Sequence, residues 1–262
     1  MKRVLAFFLI ITLFPLLFAC THTNGILQRG ELVVGMAGDM PPFNMTTKDG
    51  KVIGFEPDLA RYLANNMGVD LRIMTMPFSE LLPAVEGNRV DMAISSITMT
   101  TRRNLKVAFV GPYFTSGKAF LTKERTIAAA KEGTDVNRPT VTLTALKGST
   151  SQEFVEAVMP RAKFIPAKTY DEAVAMVIED KVDAMVADYA ICVVSVFRYP
   201  DKGLVSIITP LTYEPIGIAL NADDSLLLNL VENFLNTLET SGQMDEMKER
   251  WFSNGSWLYQ LK

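Results

Sequence analysis

The chain has 262 residues, of which 48% are hydrophobic and 21% charged, with 26 basic and 29 acidic residues. A chain of this length can bury one or two full cores, and its slightly acidic balance argues against a nucleic-acid-binding surface. Two cysteines and one histidine, His22, exclude a disulfide framework and a multi-histidine metal site. We therefore expect no metal, no cofactor and no nucleic-acid partner.

Residues 1–20 have the layout of a secretory signal. A pair of basic residues at positions 2 and 3 precedes a largely apolar run over 4–19, which is short for a helix that must cross about 30 Å of hydrocarbon. The run ends in Leu17-Phe18-Ala19-Cys20, which resembles the bacterial lipobox. That resemblance implies cleavage before Cys20 and a lipid on its thiol. An ordinary secretion signal and a retained membrane anchor are the alternatives.

We therefore expect residues 1–19 to be a signal peptide, and 20–27 to be the lipidated Cys20 followed by a tether that contains His22. Two acyl chains suffice for stable attachment to a bilayer. The protein would then sit on the periplasmic or extracellular face. It would be attached to the cell membrane or the outer membrane through its lipid alone.

Downstream of the tether, short apolar runs alternate with amphipathic patterns. Strands are predicted at 31–36, 69–75, 91–95, 140–145, 163–165, 183–187 and 216–220. Helices are predicted at 56–67, 78–86, 151–159, 170–179, 189–199, 225–239 and 243–251. Strands that alternate with helices are typical of an α/β fold with mainly parallel sheets. Two such series predict two lobes.

Polar residues follow the strand predicted at 91–95, and ligands of open α/β sheets bind beyond the carboxyl ends of strands. Ser96, Thr98 and Arg103 come next in the chain. An arginine fork fits a carboxylate in bidentate fashion, and hydroxyl groups can serve a carboxylate or an ammonium. A helix cap followed by solvated arginines is the alternative interpretation.

Two later strand ends carry further polar residues. The strand at 140–145 is followed by a turn with Ser149 and Thr150, whose N–H groups could hold an anion or simply cap the next helix. Asp188 follows the strand at 183–187 and could cap a helix or hold an ammonium group. An arginine fork, an anion-binding turn and a carboxylate together predict a receptor for a zwitterion.

Several sequence blocks occur in a characteristic order. They are GFEPDLA at 54–60, the hydroxyl-rich block 94–103, VAFVGPY at 107–113, KVDAMVAD at 181–188, EPIGIA at 214–219 and the Trp-Phe pair at 251–252. These blocks resemble those of the bacterial extracellular solute-binding proteins of the polar amino-acid type, family 3. The resemblance covers about residues 27–252.

This resemblance implies a type II periplasmic-binding fold, in which two α/β lobes are joined by two crossing hinge strands. The crossing strands are expected near 117–122 and 215–220. Lobe 1 would comprise 28–117 and 217–262, and lobe 2 would comprise 118–216.

The resemblance also implies which residues grip the two ends of an amino acid. Arg103 would bind the α-carboxylate, helped by the turn of Ser149 and Thr150. Asp188 would pair with the α-ammonium. Since these groups lie in different lobes, the ligand would bridge the lobes and stabilise the closed state.

Five further residues are candidate ligand contacts. Ser96 and Thr98 would supply backbone and hydroxyl contacts, and Phe78 would stack on the ligand, unless it only packs in the core. Met40 departs from the family, which often has an aromatic residue there, and it could contact the ligand or pack in its loop. Asp39 could meet a basic side chain, although we favour a solvated carboxylate.

The implied function is that of a monomeric receptor that binds a free amino acid and closes on it for delivery to an ABC permease. The alternatives are a cyclohexadienyl (arogenate or prephenate) dehydratase-like enzyme on the same fold, or an amino-acid sensor without transport. Gln152, rather than an acid, ends the cleft turn. With no histidine in the lobes, we predict that the protein is not an enzyme. The sequence leaves the chemical identity of the ligand's side chain undetermined.

Overall fold

The computed structural model describes residues 22–207 and 210–261. The predicted signal peptide, 1–19, and Cys20 lie outside the described residues. The helices are α1 (His22–Arg29), α2 (Phe55–Met67), α3 (Phe78–Glu86), α4 (Thr101–Asn104), α5 (Arg125–Ala128), α6 (Thr150–Val158), α7 (Tyr170–Ile178), α8 (Tyr189–Arg198), α9 (Ser225–Thr240) and α10 (Gln243–Lys248). The strands are β1 (Glu31–Met36), β2 (Asp39–Met40), β3 (Asn44–Thr46), β4 (Val52–Ile53), β5 (Asp70–Thr75), β6 (Met92–Ala93), β7 (Ala108–Ser116), β8 (Lys118–Thr122), β9 (Thr142–Leu146), β10 (Lys163–Ala167), β11 (Ala184–Asp188), β12 (Val205–Ser206) and β13 (Glu214–Leu220).

Two five-stranded sheets form the centres of two lobes, as predicted. Lobe 1 has the strand order β5-β1-β6-β13-β7, and lobe 2 has the order β10-β9-β11-β8-β12. In each sheet the first three strands are parallel, and the fourth runs antiparallel to the third. Helices α2, α3 and α9 pack on the first sheet, and α6, α7 and α8 on the second. The predicted α/β fold class is confirmed.

The start of the described chain differs from the prediction. Residues 22–29 form helix α1 where a tether was expected over 20–27. Ile26 is fully buried, and the helix packs against β1 and α9. Tertiary packing supplies most of the stability of a short helix, so these contacts explain why a segment of polar composition is helical here.

The chain passes between the two sheets at two neighbouring points. Strand β7 ends at Ser116 in lobe 1 and β8 begins at Lys118 in lobe 2, and β13 begins at Glu214 in lobe 1. Ser116 and Glu214 are directly paired, so the two crossings lie side by side at the base of the cleft. The boundary expected at 216/217 therefore falls inside β13.

Gly54 allows helix α2 to begin tightly against the preceding backbone. Its φ is 137°, and an added Cβ would lie 2.3 Å from the carbonyl oxygen of Phe43. Only glycine fits such a position without strain. The close approach carries Glu56, in the first turn of α2, to the floor of the cleft.

We expect Gly54→Ala to lower the free energy of unfolding by more than about 1 kcal/mol, because both the φ angle and the contact oppose a Cβ. Gly50→Ala is the matched control, since Gly50 has a φ of 86° but no atom within 4 Å of an added Cβ. Urea unfolding measures both variants. Equal losses would contradict the account of tight packing at Gly54.

Candidate ligand-binding site

The backbone turns sharply after β6, at Ser96, whose φ is 49°. Its N–H donates to Oε1 of Glu56, with 2.6 Å between nitrogen and oxygen. Glu56 is fully buried and also accepts hydrogen bonds from Asn44 and Tyr113. Three donors therefore fix this carboxyl group, and the carboxyl group in turn holds the Ser96 turn in its sparsely populated conformation.

Arg103 lies on α4, as part of lobe 1, and its fork is aimed at the other lobe. One terminal nitrogen donates to the carbonyl of Thr98 at 2.8 Å, and the other donates to the carbonyl of Gly148, in lobe 2, at 3.3 Å. The guanidinium carbon lies 5.8 Å from the centre of the Phe78 ring. Burial lowers the pKa of Arg103, and the charges of Glu153, Asp188 and Glu214 oppose that shift. The solvated-arginine alternative does not describe Arg103.

Asp188 ends strand β11 and is buried. Although it precedes α8, its side chain makes no capping hydrogen bond. Instead Oδ1 accepts from Nζ of Lys118 at 2.9 Å, and Oδ2 accepts from the hydroxyl of Ser96 at 3.1 Å. The geometry therefore favours a polar role in the cleft over the helix-cap alternative.

The two hydroxyl groups at the start of α6 make different contacts. The Ser149 oxygen accepts from the N–H of Gln152 at 3.2 Å and so caps the helix, as the plain alternative had it. The Thr150 hydroxyl faces the cleft, where it lies 3.1 Å from the Thr98 hydroxyl and 3.4 Å from Oε2 of Glu214.

Two charged residues of this site were not among the predicted contacts. Lys118 begins β8 and Glu214 begins β13, and the Nζ–Oε2 distance between them is 3.5 Å. A charge at the head of the apolar strand KAFLT was the available signal for Lys118. Glu214 was visible only as the first residue of a sequence block.

A cavity of about 600 Å³ lies between the lobes beside Phe78. Lobe 1 lines it with Asp39 and with 75–79, and lobe 2 lines it with Leu146, Lys147, Lys168 and Thr169. Phe78 is 8% exposed, so its ring packs in the core and also borders the cavity.

The expectation of a solvated Asp39 is wrong. Its Oδ2 accepts from the backbone N–H of Tyr170 at 2.8 Å, and its Oδ1 is buried without a hydrogen-bond partner. Burial raises the pKa of Asp39 to about 6, and the nearby charge of Asp171 acts in the same direction. The first turn of α7, which comes from lobe 2, covers this carboxyl group.

Met40 is buried in lobe 1, where its sulfur accepts a hydrogen bond from Ser95 at 3.3 Å. The structure thus favours packing within the loop over contact with a ligand.

The described part of the chain holds no cluster of three or more histidine, cysteine, aspartate or glutamate side chains that could bind a metal. Within residues 22–207 and 210–261, no helix has the length and apolarity needed to cross a bilayer.

Two α/β lobes that meet over a cleft lined with opposite charges define a two-lobed ligand-binding protein. The chain belongs to the bacterial extracellular solute-binding proteins, family 3, whose family model matches residues 32–254. The predicted family and its type II periplasmic-binding fold are thereby confirmed.

The chain is also similar to individual curated relatives and to a solved structure. It is 24% identical to the L-cystine-binding protein TcyJ of Escherichia coli (strain K12), over 87% of this chain and 85% of that protein. It is 25% identical to the cyclohexadienyl dehydratase of Pseudomonas aeruginosa, over 88% and 86%. A proposed ABC-transporter binding component from Wolinella succinogenes, solved in complex with lysine, superposes with a TM-score of 0.84 and 35% identity. That match covers 88% of this chain and 99% of the other.

The buried Glu56 makes the stability of the protein depend on pH. Burial raises its pKa from 4.5 to about 7, although the bonds from Tyr113, Ser96 and Asn44 lower it. The folded protein keeps the Glu56 proton up to about pH 7, whereas the unfolded chain loses it near 4.5. The free energy of unfolding therefore falls as pH rises through this window.

The expected fall from this group is about 3 kcal/mol, at roughly 1.4 kcal/mol per unit of pKa. Glu56→Gln cannot titrate and should lack this part of the pH dependence. Urea unfolding of both proteins between about pH 4 and pH 8 measures the difference. Parallel curves for the two proteins would contradict the assignment.

Proposed function

We propose that this protein is the substrate-binding component of an ABC importer and that it holds a free amino acid between its lobes. The observation that carries the proposal is the cleft itself, where Arg103 of lobe 1 donates to the carbonyl of Gly148 in lobe 2 and Asp188 of lobe 2 accepts from Ser96 of lobe 1. A zwitterion presents one group to each.

The α-carboxylate would bind to Arg103. Both terminal nitrogens of the guanidinium donate to backbone carbonyls, of Thr98 and Gly148. A carboxylate is a stronger acceptor than a neutral carbonyl, so it can take over part of this fork. The N-terminus of α6, which begins at Thr150, adds a favourable dipole for an anion.

The ligand's side chain would occupy the cavity beside Phe78. Its volume of about 600 Å³ lies within the range of small-molecule sites. The Phe78 ring offers an apolar surface to the stem of a side chain, and the lining residues Asp39, Lys147 and Lys168 offer charges of both signs to its end. Long polar side chains fit this lining best.

Closure of the lobes on the ligand is what a permease would recognise. Contacts between the lobes include the Ser96–Asp188, Thr98–Thr150 and Asp39–Tyr170 hydrogen bonds. A ligand that joins Arg103 to the Asp188 side of the cleft adds to these contacts only in the closed state. It therefore shifts the population toward closure. We further propose that a monomer delivers the amino acid to the permease.

An enzymatic role is the second candidate, because one relative is a cyclohexadienyl dehydratase. Asp39, with its pKa raised to about 6, is the cleft carboxyl group best suited to give up a proton near neutral pH. Incubation with prephenate and with arogenate, monitored for loss of the cyclohexadiene ring, decides between the two. Turnover that Asp39→Asn abolishes would establish the enzyme, and the receptor proposal expects none.

We expect Arg103→Ala to abolish amino-acid binding, since a buried carboxylate would lose its charged partner at a cost of about 2–5 kcal/mol. The measurement is a thermal-shift screen of the twenty common amino acids, followed by calorimetry. For wild type, a true ligand at about 100 times its dissociation constant adds about 2.7 kcal/mol of stability.

The matched control is Arg102→Ala on the same helix. The Arg102 side chain is 81% exposed and pairs with Glu153, so its loss should change affinity less than about 3-fold. Wild-type affinity in Arg103→Ala, or equal losses in both variants, would contradict the assignment.

We also propose that the chain is anchored by a lipid on Cys20. Cys20→Ser should then move the protein from the membrane fraction to the soluble fraction of cells, because the mature chain would carry no acyl groups. Immunoblots of the two fractions measure this, with Cys192→Ser as the control for loss of a cysteine elsewhere. Membrane retention of the Cys20→Ser protein would count against lipidation.

A further inference from the structure

Asp39, at the start of β2 in lobe 1, carries a carboxyl group that lobe 2 covers. Strand β2 packs against α7, and Oδ2 of Asp39 accepts from the N–H of Tyr170, the first residue of α7, at 2.8 Å. The other oxygen, Oδ1, is buried without a hydrogen-bond partner. Separation of the lobes would carry α7 away from β2 and return both oxygens to water. The solvation of Asp39 therefore changes when the lobes close.

Two other carboxyl groups at the contact between the lobes each have a cation as partner. Asp188 of lobe 2 is paired with Lys118 at 2.9 Å. Glu153 of α6 is paired across the cleft with Arg102 at 3.1 Å. Within the part of the chain that the structure describes, Asp39 has only the neutral N–H of the backbone. Closure thus takes this carboxylate out of water without an opposite charge, which is costly unless the group is neutralised.

The charged groups that face Asp39 do not compensate its charge. Asp171, in the first turn of α7, carries a like charge and raises the pKa of Asp39 further. Arg198 of α8 borders a cavity of about 200 Å³ beside Asp39, but it is bound to Asp171 at 2.6 Å. Lys147 and Lys168, which follow β9 and β10, are exposed side chains at the larger cavity, where solvent screens their charges.

The titration of Asp39 is therefore tied to closure. With the lobes in contact its pKa is about 6, because burial outweighs the N–H of Tyr170, whereas the ordinary value is 3.8. The Tyr170 hydroxyl stays neutral in this range, since burial raises its pKa well above 10. Glu56 also titrates near neutral pH, but its three donors all belong to lobe 1. Its proton is bound on folding of that lobe rather than on closure.

We propose that the lobes close with a proton on Asp39, so that the receptor holds its amino acid more tightly in a mildly acidic medium than at neutral pH. This inference rests on the proposed amino-acid-binding function. The proton comes from solvent and binds Oδ1, since Oδ2 accepts from Tyr170. It returns to solvent when the lobes open and the amino acid leaves.

The test is titration calorimetry of the full chain at about pH 5 and about pH 7.5. The probe is the tightest-binding common L-amino acid other than histidine, whose own side chain titrates in this range. Wild type should bind about 10-fold more tightly at the lower pH, from pKa values of about 6 with the lobes closed and 3.8 with them open. At about pH 5.5, two buffers of different ionisation enthalpy should show uptake of about 0.7 proton per ligand.

Asp39→Asn keeps an acceptor for the N–H of Tyr170 but cannot titrate. At about pH 7.5 it should bind at least about 5-fold more tightly than wild type, because closure no longer buries a charge. Its affinity should differ less than about 3-fold between the two pH values, with no proton uptake. Asp49→Asn is the matched control, since Asp49 lies in the same lobe with its side chain 61% exposed. It should keep the wild-type pH dependence.

Equal wild-type affinities at the two pH values, without proton uptake, would overturn the inference and leave the receptor function standing. So would proton uptake that persists in Asp39→Asn, or a loss of affinity in that variant at about pH 7.5. Thermal melts show that each variant is folded, and if Asp39→Asn does not fold, the wild-type proton count still decides. If wild type bound none of the twenty amino acids, both the receptor function and this inference would fall.

Discussion

A buried lysine held between two carboxylates is the constraint on which the rest of the cleft depends. Lys118 and Asp188 face each other on neighbouring strands of lobe 2, and Glu214 approaches from the first residue of β13, in the sheet of lobe 1. An unpaired buried charge would cost several kcal/mol. The two crossings of the chain must therefore hold these three side chains together, which fixes the base of the cleft.

Lobe 1 meets this charge cluster through one strained turn. Ser96 has a positive φ, and in this conformation its N–H donates to Glu56 of lobe 1 while its hydroxyl donates to Asp188 of lobe 2. Glu56 in turn depends on Gly54, which lets α2 start close to the backbone of Phe43. The packing of α2 in lobe 1 therefore helps to position the Ser96–Asp188 hydrogen bond between the lobes. The site depends on both lobes.

The residues that follow the strand ends could be identified from the sequence. Contacts between side chains on neighbouring strands could not. Arg103, Thr98 and Asp188 could be proposed as cleft residues because ligands of open α/β sheets bind beyond the carboxyl ends of strands. Lys118 is 70 residues from Asp188, and their pairing appears only when β8 and β11 are laid side by side. Local patterns do not contain that register.

The burial of Asp39 could not be predicted for a similar reason. The helix that covers it begins 131 residues later, at Tyr170, so no local pattern showed that the carboxyl group would be buried between lobes. Helix α1 differs from the expected tether because it packs against α9, about 200 residues later in the chain, and against β1. In each case a contact between distant segments overrode a reasonable reading of local composition.

A crystal structure with the tightest-binding amino acid tests the central claim most directly. We expect an amino acid that touches both lobes, with its α-carboxylate about 3 Å from the Arg103 guanidinium and its α-ammonium on the Asp188 side of the cleft. An amino acid bound to one lobe alone, or with its ammonium directed away from this charge cluster, would contradict the account.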